Sequence, residues 1–298
     1  MTFEEELRLR TENAEKIILK WLPVFPGYRG SMAEAMKYSI EAGGKRLRPV
    51  MLGMMNEAYG GTEEEAGPFM AAIEYIHTSS LIHDDLPAID NDELRRGKPA
   101  VHSRFGEAMG VLSGDALLNY AYEVMLKGVA SARDRSSAAA AAGILADKSG
   151  LYGMLGGQGL DVEYEKGRLR VDDREMLEEI CVRKTSALIE ASLMAGAALA
   201  GADKEEIRLL EQTGRATGLA FQIRDDILDA TSTDETLGKP VHSDEKNGKL
   251  TFCSLLGIDG AQELVHRYTE EAVSCCEKLN CRNGMLKELI LYLCDRRS

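Results

Sequence analysis

Apolar residues recur three and four positions apart along most of this chain, the spacing that lines one face of an α-helix. Residues from about Phe3 to Leu22 read as an amphipathic helix, closed by Pro23 and the loop Pro26-Gly27-Tyr28-Arg29-Gly30. A second run, Met32 to Ala42, ends in Gly43-Gly44, and Pro49 opens a third that continues through Ala58. Gly67 to His83 predicts a helix with Ile73, Ile76, His77 and Ser80 on the stripe that leads to Asp84. Beyond Pro99 come Gly106 to Val129 and Ser136 to Leu155, the latter opening in an alanine run with no chemistry attached. The glycines of Gly156-Gly157-Gln158-Gly159-Leu160-Asp161 predict an interruption, as a kink or a close helix contact. No strand precedes them, as a dinucleotide or P-loop phosphate cradle would require. Asp172 to Ala200 reads as one long helix, Ala230 to Lys249 as a loop, and Thr251 to Ser298 as further helices. No solenoid repeat, linker or strand–helix alternation is visible. The pattern predicts one all-α domain over residues 1–298.

Composition agrees: only seven prolines, 44% hydrophobic residues, and abundant Ala, Leu, Glu and Met favour helices around a sizeable core. The net charge of −13 excludes nonspecific nucleic-acid binding, which needs a basic footprint. It also makes local clusters of Lys and Arg informative. No apolar run reaches the ~20 residues that a membrane-spanning helix needs. The acidic start Met1-Thr2-Phe3-Glu4-Glu5-Glu6 lacks a signal-peptide core, so a cytoplasmic protein is expected. The six cysteines, Cys181, Cys253, Cys275, Cys276, Cys281 and Cys294, form no CxxC pair and no zinc-like spacing with histidine. Free thiols are expected.

Chemistry concentrates where a helix runs into Asp84-Asp85-Leu86-Pro87-Ala88-Ile89-Asp90, followed by Leu94-Arg95-Arg96-Gly97-Lys98-Pro99. Adjacent carboxylates do not ionise together cheaply unless water or a cation offsets their repulsion. Oxygen-only ligands suit a hard cation, and magnesium takes one or two carboxylates together with substrate phosphates. Arg95 and Arg96 are then natural diphosphate partners, since guanidinium grips phosphate in a planar fork. A lone aspartate pair is more often a solvated helix end. A second copy, Gln222-Ile223-Arg224-Asp225-Asp226-Ile227-Leu228-Asp229, overturns that reading. On a helix its Gln222, Asp225, Asp226 and Asp229 share one face. Two such segments facing each other could hold a diphosphate between them through metal ions. Lys45, Arg46 and Arg48 beside Gly43-Gly44 would alone be an ordinary basic helix boundary, though glycine lets backbone approach an anion. Lys184, placed mid-helix, calls for an anionic partner.

Together these motifs resemble the trans-prenyl diphosphate synthases, most of all the bacterial short-chain farnesyl/geranylgeranyl type. The match rests on Gly43-Gly44-Lys45-Arg46-Leu47-Arg48-Pro49, the two aspartate motifs, Arg183-Lys184-Thr185 and Leu237-Gly238-Lys239-Pro240, in the family's order from about Gly43 to Phe252. The resemblance implies a large orthogonal helical bundle around a central cavity and a homodimer. It implies condensation of isopentenyl diphosphate with an allylic diphosphate (dimethylallyl, geranyl or farnesyl). Ionisation to an allylic cation, attack by the isopentenyl double bond and proton loss need no protein nucleophile. Several magnesium ions, with manganese as a substitute, would be held by Asp84, Asp85, Asp90, Asp225, Asp226 and Asp229. Arg95, Lys184, Thr185, Gln222, Lys239 and Lys249 would grip the allylic diphosphate, the two loop lysines as a closing flap. Lys45, Arg48, His77 and Arg96 would hold isopentenyl diphosphate, with Gln158 and Asp161 in support.

In that family the residue five before the first aspartate commonly floors the cavity. Here it is Ser79, beside Ser80, and both are too small to stop a growing chain. Ile76, Tyr75 and Ile73 lie about one turn (~5.4 Å) further down, and side chains near Met109–Leu112 or Met154–Leu155 could close the cavity instead. A terpene cyclase would carry an Asn/Ser/Glu-type second motif, and a non-catalytic partner subunit would have lost one aspartate motif. Both motifs here are intact.

Overall fold

The computed structural model describes residues 1–24, 27, 30–171, 173–231, 250–281 and 284–295. In chain order these form α1 (Phe3–Lys20), α2 (Met32–Ile40), α3 (Leu47–Ala58) and α4 (Glu63–Asp84). A short hairpin, β1 (Leu94–Arg95) and β2 (Lys98–Pro99), leads to α5 (Val101–Phe105), α6 (Glu107–Ser131), α7 (Arg135–Ser149) and α8 (Met154–Glu165). Then come α9 (Arg174–Cys181), a π-helical turn (Val182–Ser186), α10 (Ala187–Leu199), α11 (Lys204–Thr231), α12 (Phe252–Cys276) and α13 (Gly284–Cys294). The protein is all-α, as the hydrophobic period predicted; among the described residues the two-stranded hairpin is the only sheet. None of their helices is long and apolar enough to cross a membrane. The chain divides into two compact units, Met1–Gly143 with Ala195–Gly201 and Ile144–Met194 with Ala202–Ser298.

In the first unit α4 is the core helix. Phe69, Ile73, Tyr75 and Ile76 are completely enclosed, and Glu74, Thr78 and Ser79 are buried among them. It begins one turn earlier than Gly67, because the Thr62 hydroxyl accepts the Glu65 N–H at 3.4 Å and caps an earlier start. α6 approaches α4 closely through glycine: a Cβ on Gly128 would stand 2.9 Å from Pro68 Cβ.

In the second unit α11 lies directly on the π turn and α10. A Cβ on Gly214 would come 2.7 Å from Glu190 Cα, and one on Gly218 2.6 Å from Ser186 Cα. Two expectations change here. Gly156 to Asp161 does not interrupt a helix but lies within α8, and the break falls earlier, between α7 and α8. Nor is Asp172 to Ala200 one continuous α-helix, because the π turn divides it. The reason is steric: a Cβ on Gly157 would come 2.7 Å from the Arg183 carbonyl carbon, so α8 presses its backbone against the turn. Gly157 is thus a close helix contact, one of the two readings the pattern allowed.

Candidate active site

The first aspartate motif begins in the last turn of α4. The Asp90 N–H donates to the Asp84 carbonyl at 2.9 Å, and Asn91 N–H to Leu86 carbonyl at 3.1 Å, curling the chain back on the helix end. Asp84 is half-buried and Asp90 exposed, whereas Asp85 is 2% exposed. Asp85 Oδ1 accepts from Arg95 Nε at 2.8 Å and from Arg95 Nη2, and Arg95 reaches Asp92 at 3.2 Å. Burial holds the Asp85 carboxyl above its ordinary range even against that partner. Burial also pulls on Arg95, but the Asp85 and Asp92 charges outweigh it and raise its pKa. The structure thus gives Asp85 work of its own, fixing Arg95.

The hairpin sets the next cations. Tyr38 hydroxyl donates to the Pro99 carbonyl at 2.8 Å and Lys98 Nζ to the Glu41 carbonyl at 3.3 Å, clasping the hairpin to the end of α2. Arg96, at φ 54°, lays its guanidinium on Gly44: a Cβ there would stand 2.7 Å from Arg96 Cζ. Gly44 itself is at φ 144°, so a side chain would be strained as well as crowded. Arg48 Nη1 donates to His77 Nε2 at 3.3 Å. Guanidinium has no acceptor, so Nε2 accepts and the ring proton sits on Nδ1. Burial, then Arg48 and Arg96, hold His77 well below its ordinary pKa, and the ring is neutral.

Burial lowers Arg48 and Arg96, and neighbouring guanidinium groups lower both further. Arg48 Nε is buried with no hydrogen-bond partner. Such crowding of like charge around an unmet donor is what an anion relieves. Lys45 stands exposed on the same loop. The described non-glycine residues at positive φ are Arg46, Asn91 and Arg96, and all three fall at this site. Backbone strain of this kind concentrates at functional sites.

The second unit carries the other half of the candidate residues. The π turn presents Lys184 and Thr185. Lys184 Nζ meets Asp161 Oδ2 at 2.5 Å, the anionic partner its position demanded. Thr185 hydroxyl donates to Gln222 Oε1 at 3.1 Å, and Gln222 Nε2 donates to Asp226 Oδ1 at 3.1 Å. Asp226 Oδ2 in turn accepts the Phe252 N–H at 3.1 Å, capping the start of α12. Asp226 is therefore buried and engaged at both oxygens, while Asp225 and Asp229 are half-buried on α11. Gln158 has both side-chain polar atoms buried without a hydrogen-bond partner. Lys239 and Lys249 lie outside the described residues.

The donor set is one of hard oxygens. Among the described residues no group of three or more His, Cys, Asp or Glu side chains stands close enough to hold an ion by itself. One or two carboxylates completed by water and phosphate is how magnesium is bound. The residues present fit a hard divalent ion shared with a substrate phosphate.

Sequence reasoning named Arg46 only as part of a basic helix boundary and missed its partners, half-buried Glu15 and buried Glu74, whose ion pairs underlie the cationic cluster. Glu74 sits in an apolar run and carries no local signal of its partner. Comparison with known proteins is consistent along the chain. The family described as Polyprenyl synthetase matches residues 30–282. The farnesyl diphosphate synthase of Geobacillus stearothermophilus is 41% identical over 296 residues, 99% of this chain and 97% of that protein. The chloroplastic geranylgeranyl pyrophosphate synthase of Catharanthus roseus is 46% identical over 242 residues, 80% of this chain and 66% of that one. An FPP/GFPP synthase structure from Zymomonas mobilis superposes with a TM-score of 0.85 at 33% identity, covering 97% of this chain and 98% of that one. A geranyltransferase from Helicobacter pylori, complexed with magnesium and isoprenyl diphosphate, gives 0.82 at 30% identity, covering 98% and 96%.

Proposed function

This chain belongs to the polyprenyl synthetase family and is a short-chain prenyl diphosphate synthase, a prenyltransferase, and from that premise we propose how its residues divide the reaction. Lys45, Arg48, His77 and Arg96 hold isopentenyl diphosphate. The observation that carries this is the cluster of depressed guanidinium groups around a neutral His77, with Arg48 Nε unmatched. Arg95, Lys184, Thr185 and Gln222 hold the allylic diphosphate, joined by Lys239 and Lys249 on the sequence match alone. Asp84, Asp90, Asp225 and Asp229 hold magnesium, while Asp85 and Asp226 act as positioning residues because their oxygens already serve Arg95, Gln222 and the Phe252 N–H. The family pattern runs through both compact units, which supports reading residues 1–298 as one catalytic domain. Val111, Leu112 and Leu126 stand 43%, 48% and 66% exposed on α6 and support a homodimer.

Bound magnesium supplies charge neutralisation to the leaving diphosphate. The side chains do the rest. Arg95 and Lys184 stabilise charge gathering on the leaving group, already oriented by Asp85 and Asp161 so that little reorganisation is needed. The allylic C–O bond breaks with its electron pair leaving on diphosphate. Arg48, Arg96 and His77 hold isopentenyl diphosphate by its charged end so that its double bond faces the allylic cation; the π electrons form the new carbon–carbon bond, and a proton passes to the departing diphosphate as the alkene is restored. Exclusion of water protects the cation meanwhile.

Product length follows from Ser79. It is 1% exposed, and its hydroxyl donates to the Ile76 carbonyl at 2.8 Å, so it presents no bulk. Tyr75 is turned toward α1, its hydroxyl donating to the Ile18 carbonyl at 2.7 Å. The small, folded-back side chain of Ser79 supports growth past farnesyl to geranylgeranyl diphosphate. Titration of each substrate in turn tests the assignment. Losing a charge-assisted bond worth about 1.5–3 kcal/mol, Arg48→Ala should raise KM for isopentenyl diphosphate roughly ten- to a hundredfold. Lys184→Ala should do the same for the allylic substrate. Equal losses for both substrates in both variants would overturn the division.

A further inference from the structure

Two of the most enclosed charges beside the site, Arg46 and Glu74, have no part in the scheme above. Arg46 is 2% exposed and sits at φ 48°, ψ 30°, a left-handed backbone that residues other than glycine rarely adopt. Its guanidinium is fully committed. Nε donates to Glu15 Oε2 at 2.5 Å and Nη1 to Glu74 Oε1 at 2.6 Å, while Nη2 reaches Glu15 Oε1 at 3.2 Å and the Ile40 carbonyl at 2.6 Å. One side chain thus ties α1, the end of α2, the start of α3 and α4. Glu74 is 2% exposed as well.

Glu74 and His77 are three residues apart on α4 and share a face. Arg46 and Arg48 flank the first residue of α3. Two rungs therefore join the same two elements. Arg46–Glu74 is closed and buried; Arg48–His77, at 3.3 Å, retains the unmatched Arg48 Nε. We propose that the Arg46–Glu74 rung is a positioning pair that sets the register of Arg48 against His77, and so controls affinity for isopentenyl diphosphate without touching it. This rests on the assignment of Arg48 and His77 to that substrate.

Charge supports the geometry. Arg48 and Arg96 repel one another across a buried space, and Glu74 is the anion whose field opposes this at both. Without it the two guanidinium groups have no buried counter-charge until substrate arrives, and they relax apart. Lysine cannot replace Arg46, because a point charge cannot serve Glu15, Glu74 and the Ile40 carbonyl from one rigid plane.

The test uses the full chain carrying Arg46→Lys or Glu74→Gln, with Arg48→Ala and His77→Ala as references, and reads kcat and both KM values beside Tm. Arg46→Lys and Glu74→Gln should each raise KM for isopentenyl diphosphate about tenfold or more, as small displacements of binding groups do. KM for the allylic substrate should stay within about twofold in both, since this rung does not touch that site. The double variant should lose little beyond either single one, as expected of residues acting through one contact. If Tm falls while both KM values rise together, or KM for isopentenyl diphosphate does not move, the rung is merely structural and the proposal fails. If instead the two reference variants leave that KM unchanged, the site assignment itself is wrong, and the inference goes with it.

Discussion

His77 lies with Ile73, Ile76 and Ser80 on the α4 stripe that leads to Asp84, and its environment decides its charge. Burial and the surrounding guanidinium groups keep the ring neutral in the folded protein. Unfolding releases it to protonate below its ordinary value of 6.5, so the unfolded chain binds more protons there and stability falls as pH drops below that point. Above it the group has no effect. His77→Gln cannot take up this proton, so the stability lost between about pH 7 and about pH 5 in denaturant melts should be smaller than in wild type. An equal loss would mean that the ring protonates in the fold. As neutral glutamine can replace neutral imidazole as a hydrogen-bonding group, KM for isopentenyl diphosphate should change only a few-fold, unlike in His77→Ala. At Ser79, 1% exposed, Ser79→Tyr should shorten the extracted product to farnesyl, at some cost in Tm from overpacking. An unchanged product would show that another side chain is the ruler. The site stripe containing His77 was legible in the sequence; the Arg46–Glu74 pair was not, because its members lie 28 residues apart and only tertiary packing joins them.

At the scale of elements, hydrophobic periodicity located most of the helices but missed α5, took the glycines of α8 for an interruption and could not see the π turn. One widened turn within Asp172 to Ala200 leaves the apolar spacing almost intact, and its cause lies in α8, whose Gly157 presses on the backbone of Arg183 and Lys184. Gly157→Ala should therefore push that turn aside, raise KM for the allylic diphosphate and leave KM for isopentenyl diphosphate nearly unchanged. Gly159→Ala is the control, since a Cβ there meets nothing within 4 Å. Overpacking of this sort costs about 1–3 kcal/mol. If the two alanine variants behave alike, the turn does not depend on that contact. The hairpin was equally invisible: two residues per strand carry no pattern, yet they place Arg95 and Arg96.

Across the whole molecule, the order of the motifs made the family legible, because the chemistry needs carboxylates, guanidinium groups and lysines in fixed company. Which carboxylates are committed to partners within the fold was not legible. Asp84 and Asp85 are neighbours in sequence, but only Asp85 is buried against Arg95, and only Asp226 of its motif caps α12. Asp84→Ala and Asp225→Ala should each lower turnover by orders of magnitude with the helical circular-dichroism signal unchanged, and removal of magnesium by a chelator should do likewise. Retained turnover in either variant would show that its motif is dispensable. The most direct measurement gives the full chain dimethylallyl diphosphate, excess isopentenyl diphosphate and magnesium, follows pyrophosphate release, and sizes the extracted product. Pyrophosphate should appear only when isopentenyl diphosphate is present, with geranylgeranyl diphosphate as the product. Ionisation of the allylic substrate without uptake of isopentenyl units, or no turnover at all, would contradict the account.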